Sequence, residues 1–176
     1  MINQKQNESI IINGIQEYIN CPVILANQHA PIPAYPYVSF TVTTPVVINK
    51  GSYGTEYDGV FYKPVKQVWS FTVQSDYTDQ CMEIALKLHD WFSLVGITYL
   101  QDNEIVIERL ENIGNRDNLI TIQYEYRRGF DVTFVLMDEI THDFETIETI
   151  DINGNEVANS DDINTIDELL GVSHEQ

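Results

Sequence analysis

Residues 124–134, YEYRRGFDVTF, decide the fold. Polar and apolar residues alternate around them from Asn118 to Asp138. Ile120, Ile122, Tyr124, Tyr126, Phe130, Val132, Phe134 and Leu136 are all even-numbered, so they share one face of a strand. Two of the chain's four arginines, Arg127 and Arg128, interrupt the pattern, and Gly129 follows them. A straight strand over 118–138 would reach ~70 Å, too long for a domain of this size. The strand must therefore bend or turn, and Gly129 is the expected hinge, as a bulge or a tight turn.

Upstream, the strongest second strand is KQVWSFTVQS (66–75), with Trp69, Phe71 and Val73 on one face. DYTDQ follows it, so Asp76 or Thr78 is expected to cap a helix running to about Phe92. Cys81, Ile84, Ala85, Leu88, Trp91 and Phe92 form its apolar stripe, which predicts a helix lying across a sheet. A first helix is expected over 7–20, capped by Asn7 or Ser9 and stopped by Pro22. VILA (23–26) reads as a short strand, and HAPIPAYPY (29–37) as a rigid proline connector. YVSFTVTTP (37–45) alternates as a strand.

Residues 46–64 carry Gly51, Gly54 and Gly59 among Tyr53, Tyr57, Phe61 and Tyr62. They are expected to form a long hairpin loop or mobile arm with aromatic contact residues. GITYL (96–100), EIVIERL (104–110) and NLITIQYEY (118–126) read as further strands, separated by turns at QDN and ENIGNRDN. FETIETIDI (144–152) is a candidate small strand before an NGNE turn, and SDDINTIDELLG (160–171) a candidate short helix. The expected class is α+β: a mixed or antiparallel sheet packed against two α-helices, with an extended loop arm and an acidic C-terminal extension.

The net charge is −18, with 12 of 27 acids and no lysine or arginine in residues 138–176. Residues 1–137 carry 15 acids against 9 basic residues, a net of −6. Such a chain is expected to bind neither nucleic acid nonspecifically nor anionic membranes, since both need Lys and Arg. Solubility alone is the simplest reading of the acidity. Cys21 and Cys81 sit among apolar residues and read as buried free thiols of a reducing compartment. The start MINQKQNESIIING lacks the pattern of a signal peptide, and no apolar run approaches the ~18 residues of a membrane span. A soluble, cytosolic protein is expected.

No catalytic set emerges. His89 stands alone on the second helix, His29 precedes the connector, and His142 and His174 lie in the acidic tail. No HxH, HExxH or HxxxH spacing suggests zinc. DINGNEVANSDD places its glycine at position 4 of a calcium loop counted from Asp151, where the motif needs position 6. GxxxxGK[ST], GxGxxG and GxSxG are absent. No catalytic residue, metal or cofactor is expected. The carboxylates of DNEIVIERLE read as a solvated strand face.

The order of these pieces is informative. Pro33–Phe40, Gln67–Tyr77, Tyr126–Phe134 and the acidic Ile147–Ile150 stretch follow a short N-terminal helix in sequence. In that arrangement the chain resembles the tail terminator (neck) proteins of long-tailed bacteriophages and prophages, over about residues 7–152. The resemblance implies a tail-terminator-like α+β domain over 1–152 and an acidic extension over 153–176. It implies a virion protein, assembled in the host bacterial cytoplasm, that forms a ring, usually hexameric. The ring would cap the head-proximal end of the tail tube, stop tube polymerisation and dock the head connector or head-completion protein. DNA would pass through its lumen without specific binding, with no membrane involved. Interface roles are expected for Arg127, Arg128, Tyr53, Tyr57, Phe61 and Tyr62; the plainer reading of the arginines is surface residues balancing local acids. Other readings are another head–tail joining adaptor, an acidic DNA mimic, or a small α+β ligand-binding or enzymatic domain.

Overall fold

In the computed structural model, residues 2–47, 54–57, 59–120, 123–141, 149–152 and 155–158 are described. The contacts group residues 1–141 and 142–176 as two units. In the first, α1 (Gln4–Ile19) leads to β1 (Val23–Leu25), β2 (Tyr37–Val47), β3 (Thr55–Tyr57) and β4 (Val60–Ser75). Helix α2 (Thr78–Asp90) passes into a π-helical turn at Trp91–Val95 and then α3 (Ile97–Asp102). Strands β5 (Val106–Leu110), β6 (Gly114–Asn115), β7 (Asn118–Ile120) and β8 (Gln123–Thr141) complete it.

These eight strands form one sheet with the path β1–β2–β4–β8–β5, while β3 pairs with β4 and both β6 and β7 pair with β8. Among the described residues only β1–β2 is parallel. The expected mixed α+β class is therefore found, with a third helix added. In the second unit, β9 (Thr149–Ile152) and β10 (Asn155–Ala158) pair antiparallel, and the first two residues of the expected NGNE turn lie outside the described residues. The helix expected over 160–171 lies outside the described residues.

The core follows the sequence pattern. Trp69, Phe71 and Val73 of β4, Phe130, Val132, Phe134 and Leu136 of β8, and Val38 and Phe40 of β2 are buried on one sheet face. Helices cover that face through Ile11, Ile15 and Ile19 of α1 and Cys81, Ile84, Ala85 and Leu88 of α2. Aromatic rings interlock across the layers: Phe71 and Phe92 centroids lie 4.9 Å apart, and Trp69 meets Phe134 edge-on at 5.5 Å.

Several local expectations are corrected. GITYL is helix, not strand. The π turn puts one extra residue into α2, closing Gly96 N–H onto Trp91 O at 2.7 Å. The helical turn that follows buries Leu100, and Tyr99 meets Trp91 with ring centroids 6.3 Å apart, an arrangement no local pattern encodes. The first helix begins earlier than expected, with Asn3 rather than Asn7 or Ser9 as cap; its Oδ1 accepts from Gln6 N–H. Asn20, in a left-handed conformation at φ +50°, ends it before Pro22. Neither Asp76 nor Thr78 caps α2, whose Tyr77 cap makes no side-chain bond. Instead Ser75 Oγ accepts from Tyr77 N–H and donates to Gln80 Oε1 at 2.7 Å.

The long alternation breaks elsewhere than at Gly129. β7 folds back on β8 with Ile120 opposite Gln123; residues 121–122 between them lie outside the described residues. β8 runs unbroken through Gly129, which pairs in register with Thr72 on one side and Gly114 on the other. Nor is residue 46–64 a plain loop: β2 extends to Val47, and β3 turns at Gly59 (φ +73°) into the start of β4. Residues 48–53 and 58, including Tyr53, are outside the described residues.

Candidate assembly surfaces

Arg116, Arg127 and Arg128 are all engaged within the chain. Arg116, from the β6–β7 turn, lies across β4 and β8. Its Nη1 donates to Ser70 Oγ at 2.7 Å and Thr72 Oγ1 at 2.9 Å, and its Nη2 to Asp131 Oδ1 at 2.8 Å. Ser70 Oγ also donates to Asp131 Oδ1 at 2.7 Å. The β4 backbone and this guanidinium together explain Gly129. A Cβ there would stand 2.8 Å from Arg116 Nη1, 2.8 Å from Thr72 Oγ1 and 2.6 Å from Phe71 O. Gly129 is thus a space requirement in an extended strand rather than a hinge.

Arg127 pairs with Glu125 two residues away on the same face, and Glu125 is buried. Glu125 Oε1 also accepts from Tyr35 Oη at 2.6 Å, and Tyr35 stacks on Tyr37 at 5.6 Å. The proline connector is thereby pinned to the sheet, with a cis peptide at Tyr35–Pro36. Burial, then the Glu125 hydrogen bond and its negative charge, push the Tyr35 phenol up to about 12. Arg128 pairs with Asp117 and also donates to Asn115 Oδ1 at 3.0 Å. Asp117 Oδ1 accepts from Arg127 N–H at 2.7 Å. Arg127 keeps 31% of its side-chain surface exposed and Arg128 only 13%. Sequence reasoning found the two arginines but not Arg116, Asp117, Glu125, Asp131 or Tyr35. Four of these lie in turns or next to the strand interruption without periodicity, and Tyr35 is 90 positions from its partner.

Asp131 and Asp117 carry a pH consequence. Burial disfavours both anions, but the Ser70 and Arg116 bonds to Asp131 outweigh it, as do the Arg127 amide and Arg128 bonds to Asp117. Both carboxyls are held below the usual range. A lowered folded pKa gives stability that is present above the unfolded value of ~4 and lost as pH falls through the folded values. Chemical denaturation midpoints are expected to hold from pH 7 to about 5 and drop below about 4. In Asp131→Asn that acid-limb drop is expected to be shallower.

The aromatic arm is a ribbon of β3, β4 and β8. Buried side chains end at Val65 and Leu136; beyond them Phe61 and Tyr62 are half-buried, and Tyr57 is 74% exposed.

His89 packs edge-on against Phe130 at 5.2 Å. Burial pushes the Cys21 thiol up to about 11 and raises Cys81, whose Sγ faces the carbonyls of Val73 and Tyr126. Among the described residues no three metal-ligating side chains gather, and no helix is long and apolar enough to cross a membrane.

The sequence matches a family model, that of the phage neck terminator protein, over residues 9–161. The chain belongs to the phage neck terminator family. The match spans both the eight-stranded sheet unit and the β9–β10 pair. A search of curated proteins finds no match. Membership makes this neck terminator a structural component of the phage virion, working among other head and tail proteins. The paired arginines and buried thiols of the terminator suit that structural role.

Proposed function

We propose that this neck terminator forms a ring, most simply a hexamer, that caps the head-proximal end of the tail tube, stops its polymerisation and presents a surface to the head connector. The family match over residues 9–161 carries the reading. Residues 1–152 would form the ring-building domain and 153–176 an acidic extension. The negative charge supports a lumen that lets DNA slide without sticking. Exposed Tyr57, with Phe61, Tyr62 and Tyr53 along the same arm, would meet a neighbouring subunit or the tube. Arg127, a third exposed beside its Glu125 partner, would reach across a subunit contact more readily than Arg128. No enzymatic step is assigned.

Native mass spectrometry across a concentration series tests the reading. A six-fold species is expected. A stable dimer, or a monomer that also fails to cap purified tail tubes in electron micrographs, would overturn it.

A further inference from the structure

Two flanks of the sheet unit are unlike each other and complementary. On one, β2 has β1 beside it only at Val38–Phe40. From Thr41 to Val47 its outer edge has no strand partner among the described residues, and the segment TVTTPVV carries no charge. On the opposite flank, β5 and β8 pair only up to Val135, which leaves the outer edge of Leu136–Thr141 without a strand among the described residues. A groove of about 330 Å³ runs along that edge, walled by Asn3, Gln6 and Asn7 of α1 and by Asn103 and Glu104 of the α3–β5 turn.

Charged side chains stand on both flanks, Lys5 beside Glu8 on one and Glu104 with Glu139 on the other. α1 advances about 100° per residue, so Lys5, Glu8 and Ser9 stand on the side opposite Asn3, Gln6 and Asn7, above a hollow floored by Phe40. Glu8 accepts from Gln4 Nε2. Lys5 has no carboxylate in ion-pair reach among the described residues. Across the molecule the groove presents Glu104 and Glu139. Glu104, with a left-handed backbone at φ +61°, is one of the groove's lining residues.

We propose that successive copies join head to tail through these flanks. The Thr41–Val47 edge of one copy lies beside the Leu136–Thr141 edge of the next, and Lys5 of the first reaches the acidic groove at Glu104 and Glu139 of the second. Two different surfaces on opposite sides of one subunit make a heterologous contact, the kind that closes into rings. Self-pairing of the β8 edge across a two-fold would set Asp138 and Glu139 against their own copies, whereas β2 brings an uncharged strand. Pro45 withholds one donor, so the strand ladder is short and the flanking ion pair contributes register.

The contact rests on the ring reading, and one experiment separates their failures. Oligomer distributions are measured for wild type, Lys5→Glu, Glu104→Lys and the double variant, with circular dichroism confirming that each folds. Each single reversal is expected to weaken association about tenfold or more, as like charges meet across every contact. The double reversal is expected to recover most of that loss. Rings that form equally well in both single variants, or a double variant no better than the product of the singles, overturn this contact while the ring stands. A wild type that never oligomerises, alone or on tubes, overturns both.

Discussion

Gly129→Ala should destabilise the sheet unit by ~3 kcal/mol, near the upper end of what overpacking costs. The added methyl meets Phe71 O at 2.6 Å, and that carbonyl belongs to the neighbouring strand, which is fixed by its own ladder. It also meets the Arg116 guanidinium at 2.8 Å. That side chain can swing away, but only by leaving Ser70, Thr72 and Asp131. The melting temperature is expected to fall by roughly 10 °C for a unit of this size. Arg116→Ala in the Gly129→Ala background should recover only part of the loss, because the Phe71 carbonyl remains. Full recovery would show that the guanidinium is the sole reason for the glycine. A Gly129→Ala protein as stable as wild type would mean that the strands are not in this register.

Trp69→Ala is expected to cost ~4 kcal/mol, the range for emptying a large aromatic site. Trp69 is wholly buried and touches Phe40, Phe71 and Phe134, with ring centroids 5.5–6.4 Å away. Its indole N–H donates to Gln67 Oε1 at 2.9 Å, and Gln67, itself buried, donates on to Gln4 Oε1 at 3.0 Å. Truncation therefore opens a cavity and also strips a donor from a buried amide that ties β4 to α1. Trp69→Phe keeps most of the packing and should lose only ~1–2 kcal/mol, mainly the hydrogen bond. Urea midpoints at constant slope would separate the two. Equal losses in both variants would place the whole cost on the Gln67 bond and none on the cavity.

The contrast between these two residues marks where sequence reading succeeds. Trp69 sits on the same parity as Phe71 and Val73, and burial of that face was legible because side chains alternate along any strand. The α2 stripe was legible for the equivalent helical reason. Gly129 was visible as an anomaly, but its cause lies in the Phe71 carbonyl of the neighbouring strand and in Arg116, 13 positions away. GITYL failed because five residues satisfy either period, and the π turn before them decided which face Leu100 would bury.

The sequence by itself determined the α+β class, the central strands, the two main helices and, through the order of these pieces, the resemblance to phage neck terminators. Periodicity and element order suffice for these, because each is written in spacings within one segment. Only the tertiary structure decided that Arg127 and Arg128 are held by Glu125 and Asp117, that Tyr35 pins the connector, and that β2 and β8 leave unlike edges on opposite flanks. Those facts depend on which distant segments the sheet brings within hydrogen-bonding reach, and no local spacing carries that information.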